Sequence, residues 1–213
     1  MNSLGDEERK YYALVQQAFE TLAPFYDIVT LPLARLRRLV ATLAGARPGT
    51  NVLDIATGTG SQAIAFARRG HVVTAIDVSP AMLRIAREKK GADLVHFEAG
   101  DATRLRFASN TFDVVSVSFA LHDMPEGIRQ AALKEMVRVA RPGGMILIVD
   151  YGLPANRMGR LLVHRLVSLY EGPYYEEFVQ TDLPKVLART GAAVVAMKAA
   201  WLGAVRIWRG RKA

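Results

Sequence analysis

A chain of 213 residues with 51% hydrophobic and 23% charged side chains has the composition of an ordinary globular protein and the length to bury roughly 70% of its unfolded surface. It contains no cysteine, which excludes a disulfide scaffold, a thiolate zinc site, an iron–sulfur cluster and a cysteine nucleophile. The 28 Lys and Arg against 20 Asp and Glu leave a net charge of +8, which suits an anionic partner and equally serves plain solubility.

No linker and no internal repeat divides the chain, so the reading is one domain. Its parts are a helical cap over 1–47, a core over 48–150, and a helix insertion with closing strands over 151–213. The N-terminus is polar, with Asp6, Glu7 and Glu8, and lacks the apolar stretch of a secretory signal. No apolar run nears the ~18 residues of a membrane span. A cytoplasmic protein is the expectation.

In chain order, 8–22 and 33–44 read as helices, the second with Leu33, Leu36, Val40 and Leu43 at helical spacing. Short runs rich in β-branched residues then follow at 51–56, 72–77, 94–99, 112–118 and 145–150. Helix-period segments lie between most of them, at 60–69, 79–90 and 126–139. This alternation predicts an α/β doubly wound, mostly parallel sheet with helices on both faces. The segment 157–171 places Arg157, Arg160, His164 and Ser168 on one helix face and Met158, Leu161, Leu162, Leu166 and Leu169 on another. Such a helix suits a pocket cap, an anionic lipid surface or packing on its own core. Arg35, Arg37 and Arg38 form a second basic cluster with the same alternatives. A helix at 181–190 ends at Gly191, and strands at 192–198 and 205–208, joined through Leu202-Gly203, form an antiparallel hairpin at one sheet edge. Five strands and this pair make seven.

The chemistry-bearing residues cluster where strands end. In Asp54-Ile-Ala-Thr-Gly58-Thr-Gly60-Ser-Gln-Ala63, glycines at a strand-to-helix junction allow a tight turn and close approach of a ligand to the helix N-terminus. That spacing also fits a dinucleotide fingerprint. Asp54 is a strand-end carboxylate that requires pairing if buried. Asp77 ends the second strand, where such folds hold a ribose diol, and equally it precedes the Ser79-Pro80 helix start as a capping acid. Asp101, in Gly100-Asp101-Ala102, is placed to accept from an exocyclic amine or to serve as a turn residue.

These residues, with Phe112-Asp113-Val-Val and Arg141-Pro-Gly-Gly-Met-Ile-Leu-Ile148, together resemble the class I S-adenosylmethionine-dependent methyltransferases. Within that superfamily, Ala18-Phe-Glu-Thr-Leu-Ala-Pro-Phe-Tyr26-Asp27 looks like the ubiquinone/menaquinone-biosynthesis type. The resemblance implies a Rossmann-like seven-stranded sheet whose last strand is antiparallel, and S-adenosyl-L-methionine as cofactor. It carries cofactor contacts onto Asp54, Ala56, Thr57, Gly58, Gly60, Asp77, Val78, Met82, Gly100, Asp101, Ala102, Ser118 and Phe119. Ala56 and Thr57 depart from the pattern, standing where many members have Gly and Cys or Ser.

A dinucleotide oxidoreductase is the competing reading, but Asp54 would repel the pyrophosphate of its cofactor while suiting the cationic groups of S-adenosylmethionine. A module that binds the nucleoside without turnover is a second alternative. His122, after the fourth strand in Ser118-Phe-Ala-Leu-His122-Asp123-Met-Pro125, is the candidate base, with lining or packing as its plainer role. Tyr151, beside Asp150, and Tyr26 are further pocket candidates, and Tyr170, Tyr174 and Tyr175 are placed to line an apolar acceptor site. No metal site is expected. Nucleic acid is an unfavoured acceptor, since neither a base-gripping tetrapeptide after the fourth strand nor a cysteine nucleophile is present. The expected acceptor is small or lipophilic, a quinone-precursor ring carbon first and a phospholipid amine second, with peripheral contact at the inner membrane face.

Overall fold

The computed structural model describes residues 5–45, 47–167, 172 and 174–213. Ser168, Leu169, Tyr170, Glu171 and Pro173 of the sequence reading lie outside the described residues.

Seven strands form one sheet: β1 (Asn51–Ile55), β2 (Val72–Asp77), β3 (Val95–Ala99), β4 (Phe112–Ser118), β5 (Ala140–Tyr151), β6 (Ala192–Ala200) and β7 (Val205–Lys212). Their spatial order is β3-β2-β1-β4-β5-β7-β6. β7 runs antiparallel to both β5 and β6, so the hairpin is present with β6, not the last strand, at the edge. The order reverses between β1 and β4, which opens a crevice beyond the carboxyl ends of those strands.

The near-continuous apolar runs arise because both sheet faces are covered. Leu53, Ile55, Val115, Val117, Ile146 and Ile148 point to one face. Val52, Val114, Leu147 and Val149 point to the other. Helices α2 (Ala34–Leu43), α3 (Ser61–Ala67) and α4 (Pro80–Glu88) cover the second face, and α5 (Glu126–Val139), α7 (Tyr175–Gln180) and α8 (Leu183–Arg189) cover the first.

Three elements differ from the sequence expectation. Helix α1 (Asp6–Val29) continues through Pro24, although proline removes one helical hydrogen bond. β5 begins at Ala140, because a register shift between Phe112 and Val114 carries the ladder across Arg141-Pro-Gly-Gly144. The six-residue α7 is too short for periodicity to reveal. Helix α6 is described over Arg157–Val167.

Candidate active site

The turn after β1 is built by positive backbone angles. Gly58 has φ +55 and Gly60 φ +74. A Cβ on Gly60 would lie 2.7 Å from the Phe97 ring, so this glycine is required for packing and lines neither of the hollows described below. At Gly58 the nearest atom to such a Cβ is 3.9 Å away, on Tyr26, and the backbone there faces open space. Ala56 sits at φ +51 and Phe119, after β4, at φ +52. Each costs about 1–2 kcal/mol, a strain of the kind that collects at ligand sites, and it explains why glycine fits position 56 well.

These loops border a cavity of about 930 Å³. One end is formed by Ala56, Gly58, Asp77, Val78, Met82, Gly100, Asp101 and Ala102. The wall toward β4 and β5 is formed by Phe119, His122 and Tyr151, and α1 closes the opposite side with Tyr11, Val15, Phe19 and Tyr26. A smaller hollow of about 40 Å³ adjoins it, lined by Arg37, Asp54, Thr57 and Ser118 and sharing Tyr26, Ala56, Gly58 and Phe119 with the large one. Apart from Gly60 and Tyr175, the candidate site residues among those described are therefore brought to one connected space; Tyr175 lines neither hollow but is buried, meeting the Tyr151 ring edge-on at 5.6 Å.

Asp77 is buried, with Oδ2 accepting from the Gly58 N–H at 2.7 Å and Oδ1 from the Ser79 N–H at 2.8 Å. Burial pushes its carboxyl up, against the pull of the backbone N–H groups of Ser79, Gly58 and Val78. The capping role is met by Ser79 itself, whose hydroxyl accepts from the Met82 N–H. Asp101 is already engaged: Oδ1 accepts from Thr103, and Oδ2 from the Tyr12 hydroxyl at 2.9 Å, a bond that ties α1 across the crevice.

Asp54 is buried at the end of β1. Its Oδ2 accepts from the Thr57 hydroxyl at 2.7 Å, while Oδ1 is buried without a hydrogen-bond partner. An orphaned carboxylate oxygen is costly, and Asp54 lines the same hollow as Arg37. An amino-acid zwitterion matches this pair, its ammonium on Asp54 and its carboxylate on Arg37. The methionyl end of S-adenosylmethionine is such a group, so the residues present fit the cofactor. Sequence reasoning grouped Arg37 with the exposed Arg35 and Arg38. The signal was its spacing, since 33, 37 and 40 fall on one inward helix face.

Burial pushes the Asp54 carboxyl up to about 7; Thr57, Ser116 and Arg37 oppose the rise and Asp77 adds to it. An unfolded Asp titrates near 3.9, so between about pH 4 and pH 7 the folded chain holds a proton the unfolded chain has lost. Stability therefore falls as pH rises through that window, by up to about 1.4 kcal/mol per unit. Asp54→Asn removes the penalty. Its melting temperature is expected to exceed that of the parent by about 10 °C near pH 8, the roughly 4 kcal/mol accumulated over the window at about 2–4 °C per kcal/mol, and to match it near pH 4, while cofactor affinity drops. A constant difference across that range, in thermal melts at both values, would contradict the assignment.

His122 lies in a 3₁₀ turn (Leu121–Asp123) clamped to the end of β5. Asp150, fully buried, accepts from the N–H groups of Leu121 at 3.0 Å, His122 at 3.4 Å and Tyr151 at 2.8 Å, and its Oδ1 lies 2.7 Å from His122 Nδ1. A carboxylate there assigns the proton to Nδ1 and leaves Nε2 as the basic atom. Nε2 lies 3.4 Å from Asp123 Oδ2, and both residues line the large cavity. The Tyr151 ring meets His122 edge-on at 4.7 Å and Phe119 at 5.6 Å, which fixes the imidazole plane.

A seven-stranded Rossmann-like sheet with an antiparallel β7, an acid at the tip of β2, a glycine turn after β1 and the buried Asp54 beside Arg37 agree with the resemblance to the class I S-adenosylmethionine-dependent methyltransferases. Comparison with known proteins agrees. Residues 52–144 match the family described as methyltransferase domain. The chain is 35% identical over 186 residues to a demethylmenaquinone methyltransferase of Renibacterium salmoninarum, covering 84% of this chain and 70% of that one. It is 41% identical over 129 residues to the enzyme of the same name from Beutenbergia cavernae, covering 60% and 52%. The matched part thus spans between about half and 70% of these relatives. A crystal structure of an S-adenosylmethionine-dependent methyltransferase from Aquifex aeolicus superposes with a TM-score of 0.65 at 22% identity, covering 83% of this chain and 89% of that one, and shows the shared fold. The chain belongs to the class I S-adenosylmethionine-dependent methyltransferase family, and within it is similar to the demethylmenaquinone methyltransferases.

Proposed function

We propose that this methyltransferase alkylates a ring carbon of a lipophilic quinol, with Asp77 holding the cofactor ribose, Asp101 the adenine amine, and Asp54 and Arg37 the methionyl end. The single observation that carries the reading is the large, mostly apolar cavity that joins the Asp77 crevice to His122. The names of the similar proteins support the same acceptor class. When bound, the cofactor supplies a methyl group on a sulfonium, an electrophile whose leaving group is a neutral thioether. The chain's own residues do the rest. Aromatic walls from Tyr26, Phe119 and Tyr151 orient a flat acceptor. Helix α1 excludes water. His122 Nε2 accepts the proton that the acceptor loses as its carbon gains the methyl group, and Asp150 on Nδ1 and Asp123 beside Nε2 stabilise the imidazolium formed.

The test is incubation of the purified chain with methyl-labelled cofactor and a short-chain demethylnaphthoquinol. A labelled C-methyl product is expected. Label appearing only on an added phosphatidylethanolamine, or on no acceptor while the cofactor binds, would overturn the reading.

A further inference from the structure

The cavity opens through a rim of large apolar side chains that stand exposed among the described residues. On the last turns of α1 and the 3₁₀ turn after it, Phe25, Ile28, Val29 and Leu31 are exposed, Val29 to 76%. On α6, Met158 at 81%, Leu161 and Leu162 form an exposed stripe, while Val163 and Val167 of the same helix line the cavity. The turn between β6 and β7 presents Leu202 at 97% exposure. These segments are neighbours. Phe25, Val29, Val163, Val167 and Trp201 border one cavity, and Gly203 packs against Pro154, just ahead of α6.

Two properties say what covers this rim. The first is charge: α6 carries Arg157, Arg160 and Arg165, all exposed, and no acidic residue, while Arg35 and Arg38 stand exposed on α2 beside the other apolar segment. Arginines flanking an apolar stripe complement an anionic headgroup layer, with the stripe in the acyl boundary. The second is backbone strain, since Trp201 and Leu202 both hold left-handed angles, φ +48 and φ +57. Bulky residues adopt that conformation only at a cost, and here it holds a leucine fully clear of the surface. Among the described residues no helix is long and apolar enough to cross a membrane, so the contact is with the membrane surface.

We infer that the α1 end, α6 and the 201–203 turn form a docking face for an anionic lipid bilayer, and that the cavity opens into it. A lipophilic acceptor then passes from the acyl region to His122 without crossing water. The inference rests on the proposed acceptor for its purpose, not for its geometry.

Sedimentation of the full chain with phosphatidylcholine vesicles, pure or containing about one third phosphatidylglycerol, tests it. Binding to the anionic vesicles, weakened by salt, is expected. The double variant Arg157→Glu/Arg160→Glu should lose at least about tenfold in partitioning, each basic residue near such a surface being worth about fivefold. Leu161→Ser/Leu202→Ser should lose binding at high salt, where the apolar contribution remains. None of these four side chains lines either hollow, so cofactor affinity and turnover of a short-chain quinol should be unchanged. Equal binding by parent and variants, or none by the parent, overturns the docking face. So does a parent dimer in sedimentation velocity that the serine variant dissociates, because a second copy would then cover the rim. A parent chain that turns over the soluble quinol but binds no anionic vesicle sinks the docking face alone, whereas a parent that binds the vesicles but turns over no quinol sinks the quinol reading alone.

Discussion

Asp77→Asn is expected to weaken S-adenosylmethionine binding about 100-fold, a loss of roughly 3 kcal/mol, with the fold intact. Hydrogen bonds to a charged carboxylate are worth about 1.5–3 kcal/mol each, and a ribose diol makes two. Asparagine keeps the shape but replaces one acceptor oxygen with a donor. Since Gly58 and Ser79 each donate to a different carboxylate oxygen, the new NH₂ group must face one of those N–H groups. An unsatisfied N–H costs about 1–3 kcal/mol. Against this stands the removal of a buried charge whose carboxyl is pushed up by burial. The two effects oppose one another, so the melting temperature moves little while affinity collapses. Titration calorimetry reads the first quantity and a thermal melt the second. Affinity within threefold of the parent would remove Asp77 from the ribose.

The same residues show what one sequence can and cannot reveal. Strand positions were legible because each strand alternates between two covered faces, as Leu53 and Val52 do, and because glycines mark where strands turn into helices. Asp77 and Asp101 were legible from their place at strand ends. The partner of a polar group was not. Tyr12 reaches Asp101 across 89 positions, and Asp150 reaches His122 across 28. Nothing in local periodicity reports a meeting set by the packing of α1 over the crevice or by the adjacency of β4 and β5. Gly60 shows the converse: a motif glycine taken for ligand approach is held by the Phe97 ring instead. The amphipathic pattern of α6 was visible, but which of its faces looks inward depends on where the cavity lies.

His122→Ala is expected to lower kcat about 10²–10⁴-fold, the span typical of a lost general base, with cofactor affinity within threefold of the parent. Truncation also removes a ring that packs against Tyr151, so a fall in rate alone does not distinguish base from wall. Chemical rescue does. His122 lines the cavity, and alanine leaves a space of imidazole size beside Asp150, so added imidazole should restore part of the lost rate. It should have no effect on the parent. Asp150→Asn gives the complementary result. The asparagine amide cannot both accept from Nδ1–H and serve the three backbone N–H groups that Asp150 holds. The imidazole then loses its fixed tautomer and the carboxylate that favours its charged form. The acidic limb of the kcat/KM profile should move to lower pH, because a ring without that carboxylate gives up its proton more readily. A thermal melt checks that the 121–123 turn survives the change. A slower variant with an unmoved limb would make Asp150 a clamp on that turn and nothing more, and failure of imidazole to rescue His122→Ala would leave the ring as a wall of the acceptor site.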